Sequence, residues 1–194
     1  MSQSTTRYHD PLNLKKNGCV RTFVILGIIA VGIMFWGIHY ITKNAHKVLQ
    51  PQTILKDIRL ALSSYEVDYG HYPIPESDWH APDVSIRTRG PMLTALLGQN
   101  ATLNPKTIKF IDFPAAKDRK FGLWQNGAEW VLTDPWGEPY YITLDTNKDG
   151  KIANPEPATE YLPAMLPTAI ILYSSGPDRD PKTWKDNACS WRLR

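Results

Sequence analysis

The sequence has little of what a disulfide framework, a nucleic-acid interface or an active site requires. Its 194 residues include two cysteines, Cys19 and Cys189, which lie on either side of an apolar run and are not expected to pair. The net charge is +3, but Lys and Arg are scattered rather than gathered in a stripe, so nucleic acid is not expected as a partner. Ser174-Ser175-Gly176 has neither a nucleophile elbow nor a histidine nearby in the sequence, and the five histidines lack metal-ligand spacing. We therefore do not expect an enzyme.

One long apolar run is present, at residues 23–41, which read FVILGIIAVGIMFWGIHYI. At about 1.5 Å per residue this length crosses most of a bilayer core, and no polar face interrupts it. The flanking cations are Lys15, Lys16 and Arg21 before the run and Lys43 and Lys47 after it. This bias favours a cytoplasmic N-terminus. The sequence thus predicts a single-pass protein of the inner (cytoplasmic) membrane, with a cytoplasmic tail at 1–22, a transmembrane helix at 23–41 and an extracytoplasmic domain at 42–194.

After the run the pattern predicts a second, amphipathic helical stretch and then short strands. Ile54, Ile58 and Leu62 recur at helical spacing, and Gly70 is a natural C-terminal stop. Polar residues at 76–89 indicate a loop. The predicted later elements are a short helix at Pro91–Leu97 and strands at Ile108–Ile111, Glu129–Leu132, Tyr140–Leu144 and Ala169–Ser174. The predicted fold is α+β, with one long N-terminal helix, first membrane-spanning and then amphipathic, packed on a small antiparallel sheet.

Several segments carry a resemblance to a known family. They are Tyr65…Asp68-Tyr69-Gly70-His71-Tyr72-Pro73, Asp134-Pro135-Trp136-Gly137, Tyr173-Ser174-Ser175-Gly176-Pro177-Asp178 and Ser190-Trp191. Together with the helical pattern before them, they resemble the type IV pilin superfamily. Within it, the chain is most similar to the G-type major pseudopilin of type II secretion systems. The similarity extends from about residue 19 to the C-terminus, and it implies a pilin-like fold.

The N-terminal leader departs from the pattern of that family. Lys15-Lys16-Asn17-Gly18 offers the basic residues and the glycine of a prepilin cleavage site. Phe23, however, stands where the family has a glutamate five residues after cleavage. The resemblance therefore implies a relative with a degenerate prepilin leader.

A calcium-loop pattern begins at Asp145. Counting that residue as position 1, Asn147 is at 3, Asp149 at 5, Gly150 at 6 and Glu156 at 12, as in an EF-hand loop. Hard oxygen ligands at this spacing suit Ca²⁺. Prolines on both sides of Glu156 exclude the exiting helix of an EF-hand. The alternative is that Lys148-Asp149-Gly150 is a simple hairpin turn after a strand.

A second calcium candidate is the acidic segment that contains Asp178, Asp180 and Asp186, with Asn187 beside them. In G-type pseudopilins the loop after the last strand wraps a calcium ion, and the resemblance implies that Asp178 is one of its ligands. Carboxylates this close repel one another without a cation. The alternative is a solvated loop whose charge is neutralised by Lys182 and Lys185.

These observations favour one function and leave two alternatives. We expect a structural or assembly subunit of a type II secretion or type IV pilus-like apparatus, stabilised by calcium, whose partners are the membrane and other pilin-like subunits or copies of itself. The first alternative is a membrane-anchored extracytoplasmic module that binds carbohydrate through exposed tryptophans; a hydrolase with paired carboxylates is the second. Buried tryptophans would favour the structural role, and an exposed coplanar pair would favour sugar binding. The tryptophans concerned are Trp79, Trp124, Trp130, Trp136, Trp184 and Trp191.

Overall fold

The computed structural model describes residues 25, 27–29, 31–36, 51–157, 159 and 161–192. Its chain divides into two compact units, Met1–His46 and Lys47–Arg194. In the first unit the described residues are helical, and their large apolar side chains are more than half exposed. The predicted tail at 1–22 lies outside the described residues.

The prediction of a membrane-spanning helix is wrong. Within the described ranges, no helix is both long enough and apolar enough to cross a membrane. A span requires about 20 largely apolar residues in succession, whereas the helix over 51–69 carries Lys56, Asp57 and Arg59 on its exposed surface. The predictions of one long N-terminal helix and of a single-pass inner-membrane protein are corrected accordingly. Of the predicted span at 23–41, only residues 25, 27–29 and 31–36 are described.

Residues 51–69 are helical and are here called α1. Apolar side chains three and four positions apart place one face of α1 in the core, while the exposed face carries charged side chains together with Leu60 and Val67. The least exposed residues of the inner face are Leu55, Ile58, Leu62 and Tyr65. Gly70 follows with φ of +77°, a conformation that glycine adopts without steric cost, and its N–H donates to the Glu66 carbonyl.

The rest of the second unit consists of short antiparallel strands and short helices. The strands are β1 (Val84–Arg87), β2 (Gly122–Asn126), β3 (Glu129–Thr133), β4 (Tyr141–Leu144), β5 (Ile152–Ala153), β6 (Met165–Leu166), β7 (Ile170–Ser174) and β8 (Ala188–Cys189). The helices after α1 are α2 (Gly90–Leu96) and two 3-10 turns, Glu76–Asp78 and Ser190–Arg192. A four-stranded sheet has the order β1-β4-β7-β8, β2 pairs with β3, and β5 pairs with β6.

The core lies between α1, α2 and one face of the four-stranded sheet. Ile142 pairs with Leu172, and Leu144 pairs with Ile170, so that the four side chains point to the same face. All four are at most 2% exposed and belong to the same buried cluster as the inner residues of α1 and α2. Burial of this apolar area is the main favourable contribution to folding.

The described residues are α+β with an antiparallel sheet, and the sequence predicts this coarse class. The predicted strand at Ile108–Ile111 is wrong, because the N–H groups of Phe110 and Ile111 both donate to the Leu96 carbonyl at the end of α2. The polar region at 76–89, expected to be a loop, contains strand β1.

Asp134 links the turn after β3 to the end of β7. Its side chain is fully buried, and one carboxylate oxygen accepts the N–H groups of Trp136 and Glu138, each at 2.9 Å. The other oxygen accepts the hydroxyl of Ser174 at 2.6 Å. One buried carboxylate therefore closes the Asp-Pro-Trp-Gly turn and fixes its position against the sheet.

We predict that Asp134→Ala lowers the free energy of unfolding by about 3 kcal/mol, since three donors lose their acceptor in a buried site and each costs about 1–3 kcal/mol. The measurement is urea unfolding followed by circular dichroism. Asp112→Ala is the matched control, because Asp112 pairs with Lys109 on the surface, and we expect a change below about 1 kcal/mol. Equal losses for the two variants would contradict the assigned role of Asp134.

Candidate calcium site

The final loop, residues 175–187, connects β7 to β8. The strands before and after it are in register, with Tyr173 opposite Cys189 and Ser174 opposite Ala188. The Ser174 hydroxyl also accepts the N–H of Gly176 at 3.2 Å, so the start of the loop is tied to the buried Asp134 network. The loop therefore leaves the sheet from a fixed point.

Three residues at the two ends of the final loop, here called its base, have a side-chain oxygen without a hydrogen-bond partner. Ser175 Oγ, Asp186 Oδ1 and Asn187 Oδ1 are buried and unpartnered. Ser175 is 0% exposed and Asn187 is 7% exposed. Continuing the strand register by one residue places Ser175 opposite Asn187. The other buried side-chain atoms without partners in the described residues are Asp83 Oδ1, Trp124 Nε1 and Tyr140 OH.

Gly176 leaves room for the backbone at this base. A Cβ at this position would lie 2.8 Å from the Asp186 carbonyl oxygen and 3.2 Å from Asn187 Oδ1. The residue also has φ of +70°, a conformation that favours glycine. Only glycine therefore lets these oxygens approach the strand end. Hydroxyl, amide, carbonyl and carboxylate oxygens together are the ligand types that Ca²⁺ prefers.

Asp178 and Asp180 lie in the exposed part of the final loop. Asp178 Oδ1 accepts the N–H of Asp180 at 2.9 Å, and Asp180 Oδ1 accepts the N–H of Lys182 at 2.9 Å. These are local turns closed by aspartate side chains. Of the three aspartates that the sequence singles out here, only Asp186 lies among the unpartnered oxygens.

The loop at Asp145 folds as a compact turn. The carboxylate of Asp145 is 3% exposed and accepts the N–H groups of Asp149 at 3.2 Å and Gly150 at 2.8 Å. Asn147 Oδ1 also accepts the Asp149 N–H, and Asp149 Oδ1 accepts the Lys151 N–H. A backbone donor thus binds each carboxylate oxygen of Asp145 and one side-chain oxygen each of Asn147 and Asp149.

Glu156 binds two residues near the C-terminal end of the chain. Its carboxylate pairs with the guanidinium of Arg192 and accepts the indole N–H of Trp191 at 3.4 Å. Arg192 in turn donates to the carbonyl of Trp184 at 2.6 Å. The predicted ligand at position 12 of the calcium pattern therefore holds the last 3-10 turn in place.

Asp83 is a residue near this loop that the sequence does not reveal. Val84 pairs with Leu144, so Asp83 comes beside Asp145 across the sheet edge. Burial raises the pKa of Asp83, and the carboxylates of Asp145 and Asp149 raise it further. No local pattern could identify this residue, because only strand pairing joins segments so far apart in sequence.

The tryptophans of the second unit are all half-buried. The most nearly parallel aromatic pair in the described residues is Tyr141 and Tyr173, with ring centroids 4.5 Å apart and planes at 5°. These rings stack on each other, and the guanidinium of Arg87 covers Tyr141 at 3.6 Å. Their faces are therefore already in contact with protein groups.

Comparisons with known proteins return no family model, no curated protein and no solved structure that matches this chain. Within the described residues, no group of three or more His, Cys, Asp or Glu side chains is arranged to hold a metal ion. The oxygens at the base of the final loop differ from such a group because a hydroxyl and an amide contribute beside a single carboxylate.

Cys189 lies beside this base and is 1% exposed. Burial raises the pKa of its thiol to about 12. The thiolate is the reactive form, so a buried thiol with this pKa is inert near neutral pH.

We predict that a Cys19→Ser variant, in which Cys189 is the remaining thiol, resists Ellman's reagent at pH 8 while folded and reacts fully in guanidinium chloride. Equal reaction rates in the two states would contradict the burial of Cys189.

Proposed function

We propose that this chain is a structural or assembly subunit of a type II secretion or type IV pilus-like apparatus and that calcium stabilises its second unit. The Asp-Pro-Trp-Gly and Tyr-Ser-Ser-Gly-Pro-Asp segments, on which the resemblance to pseudopilins depends, are joined by the buried bond from Ser174 to Asp134. Two segments about forty residues apart thus act as one packing unit. This arrangement supports a shared structural role for them.

The observation that carries the calcium proposal is the set of unpartnered oxygens of Ser175, Asp186 and Asn187. Each buried polar group without a partner costs about 1–3 kcal/mol. A cation that accepts these oxygens as ligands would offset that cost. Ca²⁺ takes six to eight oxygen ligands, so the carbonyl oxygen of Asp186 and water molecules would supply the ligands that the three side chains do not. A site with one carboxylate is expected to bind weakly, with Kd of about 10⁻⁴ to 10⁻³ M.

The structural role is favoured over carbohydrate binding by the state of the aromatic side chains. A sugar platform presents open ring faces to solvent, whereas the tryptophans of the second unit are half-buried. Trp79, for example, stacks on His71 with centroids 3.9 Å apart, and its indole N–H donates to the Ile74 carbonyl. Such contacts are typical of residues that fill a small core.

A second candidate for the calcium ion is the loop at Asp145. The observation that favours it is the unpartnered Oδ1 of Asp83, which lies beside the carboxylates of Asp145 and Asp149. Asp83 would there replace Glu156, which is held by Arg192. Because the backbone already satisfies Asp145, we place the final loop first.

We predict that several millimolar Ca²⁺ raises the melting temperature of the full chain by several degrees and that EDTA reverses the shift. A ligand that binds only the folded state adds about 2.7 kcal/mol at a hundredfold excess over Kd, and millimolar calcium is expected to supply a fraction of this. Differential scanning calorimetry with and without calcium measures the effect. An unchanged melting curve would contradict a calcium site in either loop.

Substitutions separate the two loops. Asp186→Ala is expected to remove the calcium shift, and Asp149→Ala is expected to preserve it. Asp180→Ala is the matched control, because Asp180 is an exposed aspartate of the same loop whose side chain caps a local turn. If Asp149→Ala removes the calcium shift and Asp186→Ala preserves it, the ion binds at the loop that begins at Asp145.

The subunit role is tested separately by analytical ultracentrifugation of the full chain over a range of concentrations. A subunit is expected to form larger species as the concentration rises. A single monomeric species at every concentration and ionic strength, alone and with candidate partner subunits, would contradict the proposal.

A further inference from the structure

A cavity of about 270 Å³ lies where the C-terminal end of α1 meets the loop that begins at Asp145. Two side-chain hydrogen bonds join the segments around it. The Thr146 hydroxyl donates to the Ala81 carbonyl at 2.9 Å, and the Lys148 ammonium donates to the Gly70 carbonyl at 3.2 Å. Segments far apart in the sequence therefore form one hollow whose shape is fixed before any ligand binds.

The cavity has an aromatic wall and an apolar lining. His71 and Trp79 line it and stack on each other with ring centroids 3.9 Å apart. His71 Nδ1 lies 2.8 Å from the Tyr72 carbonyl oxygen, and the Trp79 indole N–H donates to the Ile74 carbonyl at 3.2 Å. Tyr72 and Ile74 are buried and also line the cavity. Small-molecule sites are typically hollows of this kind, mostly apolar with a few placed polar groups.

Glu66 supplies a carboxylate to the lining. Its side chain is half-buried at the end of α1. Burial raises the pKa of the Tyr72 hydroxyl, and Glu66 raises it further through its charge and a side-chain hydrogen bond. The Glu66 carboxylate therefore lies beside the Tyr72 hydroxyl, and this contact holds it at the cavity.

Lys148 supplies an ammonium to the same lining. The bond to the Gly70 carbonyl fixes its position and uses one of its three N–H donors. Within the described part of the chain, Glu66 and Lys148 form no ion pair with each other or with another side chain, so more than 4.0 Å separates their charged atoms. A carboxylate and an ammonium thus face one cavity without neutralising each other.

The other charged side chains close to this site already have partners. Asp145 also lines the cavity, but its carboxylate accepts the N–H groups of Asp149 and Gly150 in its own loop. Arg59 lines a different cavity, where its guanidinium donates to the Thr168 hydroxyl at 2.8 Å. One carboxylate and one ammonium therefore remain to bind a ligand.

We propose that this cavity binds a free amino acid with an apolar side chain. The ammonium of the ligand pairs with Glu66, and its carboxylate pairs with Lys148. Its side chain packs against the wall formed by His71 and Trp79. A ligand with both charges satisfies both protein groups, whereas a ligand with one charge leaves the other group unpaired. Drug-sized ligands occupy about 300–1,000 Å³, so a cavity of this volume suits a smaller molecule.

The test compares three ligands of similar size on the full chain at pH 8 in EDTA, which keeps calcium from the loop at Asp145. L-Phenylalanine carries both charges, phenethylamine carries the ammonium alone, and 3-phenylpropionate carries the carboxylate alone. Tryptophan labelled with ¹⁵N in the indole ring allows each indole N–H to be followed by NMR. Trp79→Phe identifies the Trp79 signal by its loss, and titration of that signal gives Kd at this cavity.

We expect L-phenylalanine to bind about tenfold more tightly than either ligand with one charge, because each charged contact is worth about 1.5–3 kcal/mol. Equal or tighter binding of phenethylamine or 3-phenylpropionate overturns the inference, as does a Trp79 signal that no ligand shifts. This comparison needs no substitution in the site, so it remains decisive if a variant fails to fold. It is also independent of the subunit role and of calcium binding in the final loop.

Two substitutions assign the charges. Glu66→Gln is expected to weaken L-phenylalanine binding about tenfold and to leave the Kd of 3-phenylpropionate unchanged, and Lys148→Met is expected to do the same with phenethylamine as the unaffected ligand. The matched controls are Asp57→Asn, an exposed acid of α1, and Lys151→Met, an exposed lysine of the loop at Asp145. Both controls should bind L-phenylalanine as the unsubstituted chain does. Equal losses for all three ligands in the folded Glu66 and Lys148 variants contradict the assigned pairing.

Discussion

The carboxylate of Asp134 is the interaction on which the rest of the second unit depends. It is buried, it forms no ion pair within the part of the chain that the structure describes, and two backbone N–H groups and the hydroxyl of Ser174 stabilise its charge. A carboxylate in this position is tolerable only when nearly every lone pair has a donor. The arrangement therefore requires the turn, the strand end and the start of the final loop to occupy one relative position.

The final loop and the turn at residues 117–120 are both attached to this centre. The final loop begins directly after Ser174, and the Gly176 N–H donates to the same hydroxyl. The turn at residues 117–120 is followed by Phe121, whose N–H donates to the Asp134 carbonyl. A small domain with short strands has little core to stabilise its loops, and a shared buried polar centre supplies positional order that apolar packing alone would not.

The two candidate calcium loops differ in whether their buried side-chain oxygens accept hydrogen bonds from the backbone. At Asp145, N–H groups of the same loop already occupy the carboxylate, so the turn is stable as a turn. At the base of the final loop, side-chain oxygens of Ser175 and Asn187 are buried without hydrogen-bond donors. Burial of such oxygens lowers the stability of the fold unless a cation or a water molecule binds them. Ligand spacing in the sequence and the accounting of hydrogen bonds in the structure therefore favour different loops.

The sequence by itself determined what depends on local periodicity and turn chemistry. The amphipathic pattern at 51–69, the glycine after it and the short strand segments between turns at β3, β4 and β7 follow from local sequence, and they predict the α+β class. Tertiary structure decided what depends on residues far apart in the chain: Asp83 beside Asp145, Glu156 with Arg192, and Ser174 with Asp134. It also decided that Phe110 and Ile111 bind Leu96 rather than a neighbouring strand. The physical reason is that a polar side chain carries the same local pattern whether its partner is solvent, a metal ion or a distant residue, and only the folded chain selects among them.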